Sequence, residues 1–228
     1  IASAHFLPKS FFAASAIMKT STAALICLIS SSLIGVEASK KASKKTSKKS
    51  PGGACGPCDT SKHCWLEVPE KADNTDGFTP IARADVIFGG GPPSHQIYKC
   101  EMAGGMAGWA LADVEAFLYD QHGEQVGLHF FDARGGSPRW QVGESLITGA
   151  LLSKVISPDA GDNIAWLWVN VTEKNAFGVL DDYDAVRVGR YCTQGGVPPT
   201  TGCSGAEDVG AEFKSVYATS YYFFAQKK

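Results

Sequence analysis

Runs of the helix-favouring residues Ala, Leu, Glu and Lys are scarce in this 228-residue sequence, and no stretch is long enough to be read as a helix. That scarcity excludes a helical bundle and a doubly wound α/β enzyme. No strand-to-helix GxGxxG turn occurs, so a dinucleotide cradle is excluded; Gly89-Gly90-Gly91-Pro92-Pro93 reads as a loop. No GxSxG elbow offers an activated serine, and no HxH pair offers a metal chelate. The strongly apolar run from Ala23 to Ile29 falls well short of the ~20 residues that span a bilayer. Charge is nearly balanced, with 21 Lys and Arg against 23 Asp and Glu, but unequally distributed. Lys40, Lys41, Lys44, Lys45, Lys48 and Lys49 fall in one short segment and leave the rest acidic.

What is present is glycine, aromatic residues and recurring turn clusters, a mixture that favours strands. Candidate strands are Ala84 to Phe88, His95 to Cys100, Val114 to Tyr119, Val126 to Phe131, Arg139 to Val142, Ser145 to Ile156, Ile164 to Val171, Ala185 to Cys192 and Val216 to Phe224. Asp120 to Glu124 reads as a hairpin turn and Gly143-Glu144 as a tighter one. Ile164-Ala165-Trp166-Leu167-Trp168-Val169 is apolar throughout and predicts a central strand buried on both sides. On that reading Trp166, Trp168, Tyr221 and Phe223 are core rather than a stacking platform. The expected fold is all-β, a single antiparallel β-sandwich or barrel of about eight to ten strands.

The first 38 residues read as an upstream extension and signal peptide. Met18-Lys19 supplies a charged start, Ala23 to Ile29 an apolar middle, and Val36-Glu37-Ala38 a small-residue cleavage end. Residues 39–54 form a Lys/Ser-rich linker too polar to fold alone, 55–67 a Cys-rich segment, and 68–228 the β domain. The linker's ammonium groups, Lys44, Lys45, Lys48 and Lys49 among them, suit an anionic polysaccharide, membrane surface or mineral. Nucleic acid fits an exported product poorly, and no transmembrane segment is expected in the mature chain. The expected location is secreted, extracellular or cell wall.

Export gives the cysteines their meaning. Cys55, Cys58, Cys64, Cys100, Cys192 and Cys203 remain after cleavage, an even set for which disulfides are the default, though spacing does not choose the pairing. Cys55-Gly-Pro-Cys58 has the spelling of a redox dithiol, but no strand precedes it and no helical periodicity follows. Zinc ligation by Cys55, Cys58, His63 and Cys64 would require the adjacent His63 and Cys64 to splay, so no metal and no cofactor are expected. Asn170-Val171-Thr172 is a glycosylation sequon, in keeping with export.

Several segments carry a resemblance. "HQIYKC" (His95 to Cys100), "GLHFF" with "SPRW" (Gly127 to Trp140), "VRVGRYCTQGGVPPTTGC" (Val186 to Cys203) and "VYATSYYFF" (Val216 to Phe224) follow the order seen in the family catalogued as domain of unknown function 3455. The chain resembles that secreted family of bacteria and fungi over roughly Val68 to Phe224. Arg134 to Trp140 lacks the usual Gly-Pro before its tryptophan, Ile164-Ala165-Trp166 departs from Ile-Pro-Trp, and Cys192 with Cys55, Cys58 and Cys64 look like additions. The resemblance implies no established reaction. A malate dehydrogenase label attached to some members finds no dinucleotide fingerprint here.

Two function classes follow. The first is a non-catalytic secreted or wall-associated β module that binds a glycan, partner or anionic matrix, with Arg134 and Trp140 at a candidate binding mouth. The second is an extracellular hydrolase or metal-dependent enzyme using His95, His129 and Asp132, which requires those three side chains to converge on an open cleft. The first is preferred, because a strand histidine is ordinarily hydrogen-bonded within its fold.

Overall fold

The computed structural model describes residues 65–72, 74–89, 91–133, 136–158 and 163–228. The lysine-rich linker, Cys55, Cys58, Cys64 and Arg134 lie outside the described residues. The described residues form nine strands: β1 (Phe78–Val86), β2 (His95–Ala103), β3 (Met106–Tyr119), β4 (Gln125–Phe131), β5 (Pro138–Val142), β6 (Ser145–Val155), β7 (Trp166–Lys174), β8 (Arg187–Gly195) and β9 (Glu212–Gln226). Each expected strand is present. The helical content is one turn at Val179–Asp182 and a 3-10 turn at Ala206–Asp208.

All pairings are antiparallel, and the sheet closes on itself. From β3 it runs through β4, β5, β6, β7, β8 and β9. β9 then returns to β3 through two strands that share one seat. The first half of β9 pairs with β2, from Val216 opposite His95 to Glu212 opposite Lys99, and its second half pairs with β1 from Thr219 onward. β2 and the end of β1 both reach β3 and complete the ring. Two of the hairpin turns are only two residues long. Gly104 and Gly105 both have positive φ (59° and 84°) and join Ala103 to Met106 by a two-residue hairpin, the geometry that matches strand twist and that favours glycine. Gly143-Glu144 does the same between Val142 and Ser145.

Strand alternation sorts the side chains onto two faces. Inside the ring lie Val114, Ala116, Leu118, Trp140, Ile147, Val169, Val188, Tyr217, Tyr221 and Phe223, which form one buried cluster. Outside β7, β8 and β9 lie Trp166, Trp168, Tyr191, Tyr222 and Phe224, a second cluster packed under Val68, Ala72 and Phe78. The wholly apolar run of β7 is thus buried on both sides, Leu167 and Val169 inward and Trp166 and Trp168 outward. Arg83 fastens the outer cover. Its guanidinium makes paired hydrogen bonds to Asp85 (2.8 Å each), donates to the Trp65 carbonyl, and stacks between the rings of Trp65 and Tyr222.

Cys100 and Cys203 form a disulfide that ties the long β8–β9 connection to β2. The same connection is held by Trp109 Nε1 donating to Thr201 and by Tyr98 donating to the Gly196 carbonyl. Cys192 is also disulfide-bonded. Its partner lies outside the described residues, since Cys100 and Cys203 bond to each other.

Candidate functional site

One end of the ring is not filled. Between the inner faces of β2 to β9 lies a cavity of about 410 Å³, within the range of small-molecule sites. Its depth is walled by Gln96, His129, Trp140, Val188, Arg190 and Tyr221, and its rim by Leu111, Phe131, Pro138, Leu151 and Lys154. The deep residues are buried, whereas Leu111 and Leu151 are 42% and 54% exposed, so the cavity opens at that rim. Gly149 keeps the wall behind Trp140 thin. A Cβ there would meet Val169 Cγ1 at 2.4 Å and Trp140 Cζ3 at 3.0 Å.

His129 faces inward from β4 and stacks flat on Trp140, centroids 4.6 Å apart and planes within 3°. Tyr221 meets both rings edge-on, at 5.0 Å and 5.7 Å. His129 Nδ1 lies 2.7 Å from the Arg139 carbonyl, which can only accept, so Nδ1 carries the proton and Nε2 is left as an acceptor. Burial lowers the His129 pKa to about 3, against the opposing pull of the Arg139 carbonyl and with help from the nearby Arg190 charge. The imidazole is therefore neutral at ordinary pH.

Arg190 enters from β8, on the same face as Val188. It is 7% exposed and donates through Nε and one Nη to the Ala165 carbonyl (3.2 and 2.7 Å). The Tyr221 hydroxyl lies beside it and is in turn 3.4 Å from the Tyr217 hydroxyl. Burial raises the pKa of Tyr98, Tyr217 and Tyr221, so all three stay protonated. Gln96 sits near the Tyr217 hydroxyl without a hydrogen bond of normal geometry to it, and Trp140 Nε1 is buried with no partner.

The sequence-predicted residues are divided by this geometry. His129 and Trp140 come together in the cavity wall. His95 and Gln96 are neighbours on β2, and since Gln96 lines the cavity, His95 faces the other side of the sheet. Asp132, just past β4, pairs with Arg139 at 2.8 Å, and Arg139 sits between the cavity-lining Pro138 and Trp140, again on the opposite face. His95, His129 and Asp132 thus do not gather in one cleft. Among the described residues no three His, Cys, Asp or Glu are grouped to hold a metal ion. Asn170 lies within β7, and its side-chain oxygen accepts from Arg187. Arg190 and Gln96 were not singled out by the sequence, and Tyr221, read there as core, is buried but also lines the cavity. The signal that could have found them is an arginine sharing strand parity with Val188 on an apolar face.

Fold and cavity together define a closed antiparallel β-barrel with an internal cavity. The family model described as "Protein of unknown function (DUF3455)" matches residues 87–225, and the chain belongs to that family. The matched segment holds every strand except β1 and every residue lining the cavity. No curated protein and no solved structure matches the chain.

Proposed function

We propose that this protein is an exported, non-catalytic binding module that takes a small, largely apolar molecule into its barrel. The observation that carries this reading is the 410 Å³ cavity itself, open at one rim and walled mostly by Val114, Phe131, Ile164, Leu167, Val169 and Val188. Well-packed interiors rarely leave voids of this size. A glycan is a poorer fit than an apolar ligand, because Trp140 is 2% exposed with His129 on one face and offers no open ring for a sugar to stack on. Cysteines committed to disulfides support export. The lysine-rich linker then adds a salt-sensitive hold on anionic surfaces.

A titration with phenylnaphthylamine, a neutral dye that brightens in apolar surroundings, tests the reading. The expected result is one saturable site per chain. Replacing Leu151→Trp at the rim should weaken the dye at least about tenfold, because one extra ring blocks the mouth, with little change in thermal midpoint. Absence of saturable dye binding, or an unchanged affinity in the folded rim variant, would overturn the cavity as the ligand seat.

A further inference from the structure

The charge arrangement within the cavity says more about its ligand than its size does. Of the other described arginines, all only half-buried, Arg83 is paired with Asp85 and Arg139 with Asp132, and Arg187 donates to Asn170 and stacks on Phe78 outside the ring. Arg190 is more than nine-tenths buried, lines the cavity, and takes part in no ion pair among the described residues; the groups it meets, the Ala165 carbonyl and the Tyr221 hydroxyl, are uncharged. A guanidinium in such surroundings is costly unless an anion joins it.

No anion comes from the described wall. Among the described residues no Asp or Glu lines the cavity, His129 is neutral, and the phenols of Tyr98 and Tyr221 keep their protons. A second cation, Lys154, stands at the exposed rim. The remaining polar groups include donors without partners, Gln96 Nε2 and Trp140 Nε1, both buried in the lining. Donor-rich, cationic and free of carboxylates among the described residues, the lining is complementary to negative charge.

We infer that the ligand is a small anionic amphiphile, its carboxylate-like head held by Arg190 at depth and its apolar body lying against Leu167, Val169, Val188 and Phe131. This inference rests on the binding reading above and adds the class of ligand. A guanidinium with its planar fork of donors suits a carboxylate better than a point charge does. Lys154 draws the same charge to the mouth. No bond is made or broken.

The test is displacement of phenylnaphthylamine from the full oxidised chain by three ligands of equal tail, namely decanoate, decanol and decyltrimethylammonium. Decanoate should compete at least about tenfold better than decanol, and the cation worst. Arg190→Gln should weaken decanoate about 10- to 100-fold and leave decanol within about twofold, while Lys154→Gln should weaken decanoate only a few-fold. Should Arg190→Gln fail to fold, the ranking of the three ligands on the native protein decides. Decanol matching decanoate would overturn the anionic head while leaving the cavity reading intact, and a loss confined to Lys154→Gln would place the head at the mouth and overturn Arg190 as its partner. If neither the dye nor any of the three ligands binds, the binding reading itself falls.

Discussion

The two faces of β7, β8 and β9 are built from neighbouring residues yet end differently. On the outer face Trp166, Trp168, Tyr191, Tyr222 and Phe224 are roofed by Val68, Ala72 and Phe78, with Phe78 edge-on to Trp168 at 5.5 Å and Trp168 edge-on to Phe224 at 5.0 Å. On the inner face Leu167, Val169, Val188 and Arg190 look into open space. The larger aromatic mass thus lies where nothing is left to bind, and the smaller aliphatic wall lies where something can enter. Along β7 and β8 bulky aromatics outside the ring secure the fold, whereas modest side chains inside it leave the cavity open beside Trp140 and Tyr221.

Deletions on the two faces should separate these roles. The largest effect is expected from Trp168→Ala, which empties a sealed site and should cost about 3–5 kcal/mol in urea unfolding while leaving ligand affinity unchanged in the folded fraction. An unfolding cost below about 1 kcal/mol would show that the outer roof is not close-packed. The second effect is a pH dependence set by His129. Its pKa is lower in the folded state, about 3 against 6.5, so between those values the unfolded chain binds the extra proton and stability falls as pH falls. From pH 6.5 down to pH 5 this one group should remove about 2 kcal/mol, a slope that His129→Phe should flatten relative to the native profile. Equal slopes for the two proteins would mean that His129 is not held neutral. The smallest effect is expected from Val169→Ala, the inward neighbour of Trp168. Removing two methyl groups that already border empty space should cost about 1.5 kcal/mol, the transfer contribution at ~0.8 per carbon with little cavity penalty. A cost equal to that of Trp168→Ala would erase the contrast between the faces.

Much of the barrel could be read from the chain, and the residues show why. Tyr119 and Gln125 are separated by Asp120 to Glu124, whose Asp120 carboxylate accepts from the backbone of His122 and Glu124, so polar turn chemistry between apolar runs marked the hairpin. Ends were harder. β1 begins at Phe78, well before the expected Ala84, because Pro80 and the register shift beside it break the strand pattern. β3 begins at Met106, where Ala107, Gly108 and Ala110 around Trp109 carry little alternation. The pairing of Cys100 with Cys203, 103 residues apart, depends on how the β8–β9 connection folds back over β2, which spacing does not encode.

The candidate site was only half legible for a related reason. Trp140 and His129 drew notice as residue types, but whether a strand residue faces in or out depends on bulges such as those in β3 and β6, which reset parity. His95 and His129 look equivalent in the sequence and face opposite sides of one sheet. Arg190 looked like an ordinary charged residue in a strand, and what distinguishes it is the acid that does not accompany it. The roof over β7 to β9 was also out of reach, since Val68 and Ala72 lie in a stretch without periodicity.

The shared seat of β1 and β2 has one more effect. Because β9 hands its hydrogen bonds from one to the other, the ring closes through β2, and β1, which meets β3 only where Asp85 faces Tyr119, keeps most of its outer edge unpaired. Strand addition from another molecule is thereby narrowed to an edge on which Pro80 carries no amide donor. Narrowing the border in this way is a safeguard against aggregation as well as the frame of a pocket.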